Sequence, residues 1–148
     1  MSIRSTLLKI LAAVALAAAA FTPASAAPKE GYIQVNYHRV DGNYEGWGMH
    51  FWKSPNMPLE GIEWPTPAKP SGKNEFGVYW EAKGEDFATS KGKKMQVNYI
   101  IHKGDIKEQG GKDMAFNGLE TKEIWVYEGD RMIYTTFADV KAAHADLK

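Results

Sequence analysis

The sequence predicts an all-β fold, an antiparallel sandwich finished by one short C-terminal helix. Three observations carry that expectation. Six short segments are rich in β-branched and aromatic residues, and most recur apolar at every second position. Asp-Gly and Gly-Asp turns or long polar connections separate them. Helical spacing enters only in the final stretch, 137–148. No internal repeat is visible, and 148 residues suffice for one domain with a buried core.

Residues 1–26 stand apart from this pattern. A basic start (Arg4, Lys9), an apolar run from Ile10 to Phe21 and the small residues Ala24, Ser25 and Ala26 form the pattern of a secretory signal peptide. The apolar run is short for a membrane span, which takes about 20 residues. Cleavage is expected after Ala26 or Ala27, giving an exported protein, periplasmic or secreted, with no membrane attachment. Its sandwich domain would cover 27–136 and its helix 137–148.

Removing 1–26 leaves 16 basic against 18 acidic residues, a formal charge of −2. That balance argues against nucleic acid, which leaves a basic footprint, and against an anionic membrane surface. The absence of cysteine excludes thiolate catalysis, cysteine-ligated zinc and stabilisation by disulfides.

The first expected strand, GYIQVNYHR, places Ile33, Val35 and Tyr37 on one side and Gln34, Asn36 and His38 on the other. Asp41-Gly42 signals a turn, and the next strand covers 46–53, so 31–53 reads as a hairpin. This second strand, GWGMHFWK, is bulky on both parities. Trp47, Met49 and Phe51 share the side assigned to the core. Gly48, His50 and Trp52 share the other, with Trp52 exposed. Further strands are expected at 75–82, 95–102, 122–128 and 131–136, the last two a hairpin around Gly129-Asp130. The connection 54–74 holds five of the seven prolines, which excludes a regular helix or a central strand. It reads either as a functional loop or as a plain surface excursion. The connection 102–121 is polar and glycine-rich. In the helix, Phe137, Val140, His144 and Leu147 form one stripe that packs on the domain, with Thr136 as N-cap and Asp139 three residues on.

The chain carries no GxSxG, HExxH, P-loop or GxGxxG motif. Ser54, Ser71 and Ser90 lie in expected loops, with no cue tying them to a histidine. Glu63, Asp105 and Asp113 are candidate acids, but no spacing pairs them. His38, His50 and His102 could converge on a metal only if their strands were neighbours, and hydrogen-bonding roles are the better reading. No cofactor, metal or catalytic residue is expected. The aromatic content, 12%, is more informative. Trp47 and Trp125 occupy strand positions that can face inward, and Trp80 fits either side. Trp52, ending its strand, and Trp64, in the proline-rich loop, are harder to bury. An indole face flanked by Lys, Asp, Asn and His suits a sugar, whose ring stacks while its hydroxyls reach polar groups at the rim.

The segment VNYHRVDGNYEGWGMHFW (35–52) closely resembles the opening motif of the pullulanase-associated domain, a family of starch-type carbohydrate-binding modules found beside debranching enzymes. NYIIHKGDIKEQGGKD (98–113) resembles its His-x-Gly-Asp and Lys-Asp segment, and EIWVYEGDRMIY (123–134) its last hairpin. The match spans about 31–136. The resemblance implies an immunoglobulin-like sandwich that binds α-1,4-linked glucans of the maltooligosaccharide, amylopectin, pullulan or glycogen type without catalysis. It implies stacking on Trp52 with His50 beside it, polar contacts from His102, Lys103, Asp105 and Lys107, and further stacking from Trp64. His50 stands where some members carry tryptophan, and Glu108 where many carry Asp. No catalytic domain accompanies the motif in the sequence. The expectation is therefore a free-standing glucan binder, alone or with a separate glycosidase. The alternative is an exported interaction module for a protein or another periplasmic ligand, which gains if the loop or the helix covers Trp52 and the 102–107 segment.

Overall fold

The computed structural model describes residues 27–89 and 91–147. The expected signal peptide lies outside the described residues. Among the described residues, nine strands form two sheets: β1 (Tyr32–His38), β2 (Gly48–Lys53), β3 (Met57–Pro58), β4 (Gly72–Lys73), β5 (Val78–Lys83), β6 (Gln96–Lys103), β7 (Ile106–Lys107), β8 (Met114–Asn117) and β9 (Glu123–Tyr127). The first sheet has the order β4-β5-β1-β9. The second has β3-β2-β6, with β7 and β8 both pairing with β6. A helix, α1 (Phe137–Ala143), follows.

The alternation seen in the sequence sets the core. Ile33, Val35 and Tyr37 of β1 and Ile124 and Val126 of β9 face Met49 and Phe51 of β2 and Val97, Tyr99 and Ile101 of β6. Trp47 and Trp80 complete this layer, and Trp80 also donates its indole N–H to the Ala68 carbonyl at 2.8 Å. The all-β sandwich with a short helix is thus present, mostly antiparallel. One pair departs: β1 and β9, first and last, run parallel, from Gln34 opposite Glu123 to His38 opposite Tyr127.

The expected 31–53 hairpin is not formed. β1 and β2 lie in different sheets, and the segment around Asp41-Gly42 carries the chain from one layer to the other. The turn signal is real: Gly42 has φ of 65° and Asp41 accepts from the Asn43 amide at 2.9 Å. What fails is the partner, because strand periodicity specifies a face and not a neighbour. The second hairpin is half formed. Gly129, at φ 74°, makes the turn, but the return strand is reduced to one bridge, Trp125 with Tyr134. Asp130 explains this, since it accepts from the Met132 amide at 2.9 Å and the Tyr134 hydroxyl at 2.6 Å and so curls the return segment onto itself. The polar connection after β6 is more ordered than expected, holding β7, β8 and a short 3₁₀ turn at Gln109–Gly111.

Trp125 does not face the sandwich core. Its parity points to the outer side of the first sheet, where Phe76, Tyr127 and Val140 bury it. The helix lies there, started by Thr136, whose hydroxyl accepts from the Asp139 amide at 3.1 Å. His144 lies flat on Tyr127, 3.6 Å between centroids, and Phe137 and Leu147 pack on the same cluster.

Candidate functional site

The outer face of the second sheet gathers aromatic and imidazole rings. β2 and β6 pair so that Gly48 lies opposite His102, His50 opposite Ile100 and Trp52 opposite Asn98. With Met49 and Phe51 turned inward, His50 and Trp52 face outward, on the parity the sequence assigns them. The exposure expected at Trp52 is not found: its surface is only 9% accessible, and His102 is 1% accessible. β3 closes the edge beside Trp52, and His50 lies against its ring at 5.6 Å.

The cover comes from the proline-rich connection. Its backbone is stitched to the free edge of β2 by two bonds between Met49 and Ala68, at 2.9 and 2.8 Å. Glycine at 48 permits the approach, since a Cβ there would come within 2.5 Å of the Pro67 ring. Trp64 is thereby laid on the sheet. Its indole stacks on His102, 3.8 Å away and 6° from parallel, and meets His50 edge-on at 5.5 Å. β7 sets Lys107 opposite His102, and the ammonium stands 5.0 Å from the Trp64 ring centre. Trp64, His50, Trp52, His102 and Lys107 therefore form one continuous patch.

Two imidazole nitrogens in this patch are orphaned. His102 Nδ1 donates to the Gly104 carbonyl at 2.8 Å, because a carbonyl can only accept, and Nε2 is the nitrogen left over. Neither that atom nor His50 Nδ1 has a hydrogen-bond partner among the described residues. Burial holds the His50 pKa below the ordinary imidazole value, His102 adds to the effect, and Asp113 opposes it. The patch thus offers ring faces and one cation, with a carboxylate nearby and two imidazole nitrogens sealed within it.

Other expected residues are placed elsewhere. Lys103 and Asp105 are exposed at the β6–β7 turn, and the Lys103 stem runs over Gly46 instead of joining the rings. Glu108 is a buried anchor, accepting from the Tyr37 hydroxyl at 2.6 Å and the Gly129 amide at 3.1 Å. Its difference from Asp thus bears on packing and not on the patch. Asp113, a candidate acid that closes the second motif, bears on the patch only through its charge on His50. His38 lies in the first sheet, so the three histidines do not converge. No group of three or more metal-ligating side chains occurs among the described residues.

Similarity to known proteins covers most of this framework. The family described as "Bacterial pullanase-associated domain" matches residues 31–135. An alpha-amylase from Streptomyces lividans is 35% identical over 74 residues, which is 50% of this chain and 7% of the amylase. Among solved structures, the family 41 carbohydrate-binding modules of streptococcal virulence factors, described for α-glucan recognition, superpose with a TM-score of 0.59 at 24% identity, over 76% of this chain and 50% of theirs. Klebsiella pneumoniae pullulanase complexed with maltotriose gives 0.62 at 15% identity, over 80% of this chain and 12% of the enzyme. These structures share the fold, and the chain spans a small part of both enzymes.

Proposed function

Because the chain belongs to the bacterial pullanase-associated domain family, we propose that it binds α-1,4-linked glucans on the outer face of its second sheet, without hydrolysing them. The observation that carries this reading is Trp64, laid on His102 beside His50 and Trp52 with Lys107 over its ring. A glucosyl ring stacks on an aromatic face, and its hydroxyls meet the lysine ammonium at the edge of the patch. Each stacking contact contributes about 1 kcal/mol, so several are needed for useful affinity. The chain acts as an exported module that presents glucan, alone or to a separate glycosidase.

Native gels containing amylopectin, pullulan or glycogen test the binding, and a reducing-end assay tests the absence of hydrolysis. Retardation without release of reducing ends is the expected result. Retention of Trp52 and His102 beneath the loop favours a second reading, an interaction module for a protein or another periplasmic ligand. A glycan array with no α-glucan response would put that reading first.

A further inference from the structure

Beside the patch, the proline-rich connection and the turn before β2 enclose a cleft of about 440 Å³. Tyr44 and Trp47 form one wall, and Pro65, Pro67 and Pro70 form the other, with Lys69 at the rim. We infer that this cleft is a second subsite, which takes a glucosyl unit of the same α-glucan chain where it runs on past Trp64. The inference rests on the α-glucan reading above and extends it.

Continuity identifies the occupant. Pro65 follows Trp64 directly in the chain and lines the cleft, and Pro67 sits over Gly48 at the start of β2. A glucan lying on Trp52, His50 and Trp64 therefore meets the cleft mouth next. The volume falls in the range of small-ligand sites. Both walls are made of rings with few rotatable bonds, so little side-chain entropy is lost on binding.

The polar side chains of the cleft all carry donors, and the hydroxyls of Tyr44 and Thr66 can also accept. The Trp47 indole N–H has no acceptor among the described residues and is not among the sealed polar atoms. Lys69 contributes an ammonium at the rim. No carboxylate lines the cleft among the described residues. A donor set against aromatic and proline rings suits a neutral ligand rich in hydroxyl and ether oxygens.

Titrations with maltotriose and maltoheptaose test the inference, on the native chain and on a Thr66→Leu/Lys69→Ala variant. Both substituted side chains are exposed, so the fold is kept while the cleft is filled and a donor removed. The native chain should prefer maltoheptaose by about tenfold, the effect of one further stacking and hydrogen-bonding contact. The variant should bind maltotriose unchanged and lose most of that preference. The Trp47 indole N–H signal in ¹⁵N spectra should shift with maltoheptaose. A chain-length preference that survives in the variant, or a silent Trp47 signal while Trp64 responds, overturns the second subsite. No response at Trp64 or Trp52 to either sugar overturns the glucan reading itself.

Discussion

Three tryptophans close together in the sequence have three different duties. Trp47 is packed between the sheets against Tyr37 at 5.6 Å, with the Arg39 guanidinium 4.6 Å from its ring. Trp47→Ala should cost about 3–5 kcal/mol, as large core aromatics do. Trp52 is buried on the outer face, so Trp52→Ala should lower both stability and glucan affinity, the former by about 1–3 kcal/mol. Trp64 lies on top, and Trp64→Ala should change stability by no more than about 1 kcal/mol while weakening glucan binding at least about tenfold. Paired melts and maltooligosaccharide titrations read all three, and normal binding by Trp64→Ala would remove it from the platform. His50 adds a pH dependence. Its folded pKa lies below the unfolded one, mainly through burial, so the unfolded chain takes up the proton more readily. Its contribution is fully present above the unfolded value near 6.5 and is lost as the pH falls below it. The native protein should therefore lose more stability than His50→Phe between about pH 7 and about pH 5, as thermal melts at each pH would show. A larger loss in His50→Phe contradicts the assignment.

At the scale of elements, the connection 54–74 and the helix occupy opposite outer faces of the sandwich, so they should fail separately. Gly48→Ala drives a methyl into the Pro67 ring, with the Ala68 carbonyl 3.2 Å away, and the loop has to lift. The expected outcome is a loss of about 1–3 kcal/mol with faster amide exchange at Ala68 and weaker glucan binding. Unchanged exchange at Ala68 would show that the loop adapts in place. Val140→Asp puts a charge against Phe76, Trp125 and Tyr127. It should lower the melting temperature yet leave maltooligosaccharide affinity unchanged in the protein that remains folded, which calorimetry can measure. The strand parities and the Thr136 cap were legible in the sequence because each depends on local spacing. The members of the ring patch were named by the family motif, but their contacts were not legible. His50 and Trp52 share a parity, but nothing local says that Trp64 lands on His102. That placement depends on the Met49–Ala68 pairing and on a glycine at 48, which are tertiary facts. Likewise Asp41-Gly42 announced a turn without saying that it leads to the other sheet.

On the scale of the whole molecule, the motif resemblance conveyed what periodicity could not: that Trp52, His50, Trp64, His102 and Lys107, spread over three segments, belong to one face. It left open whether the connection 54–74 covers Trp52, because a motif assigns residues to a strand and not the path of the loop above it. The parallel pairing of β1 with β9 has a mechanical meaning. A pull that enters before Tyr32 and leaves after Tyr127 acts along the two strands in opposite senses. Five residue pairs, from Gln34 with Glu123 to His38 with Tyr127, then bear the load together in shear instead of parting one after another. A module anchored on a glucan granule at one face and tugged through its backbone would resist extraction as a clamp does. Single-molecule stretching between those two points should show one high-force rupture for the sandwich, and a staircase of small, low-force steps would show that the strands unzip.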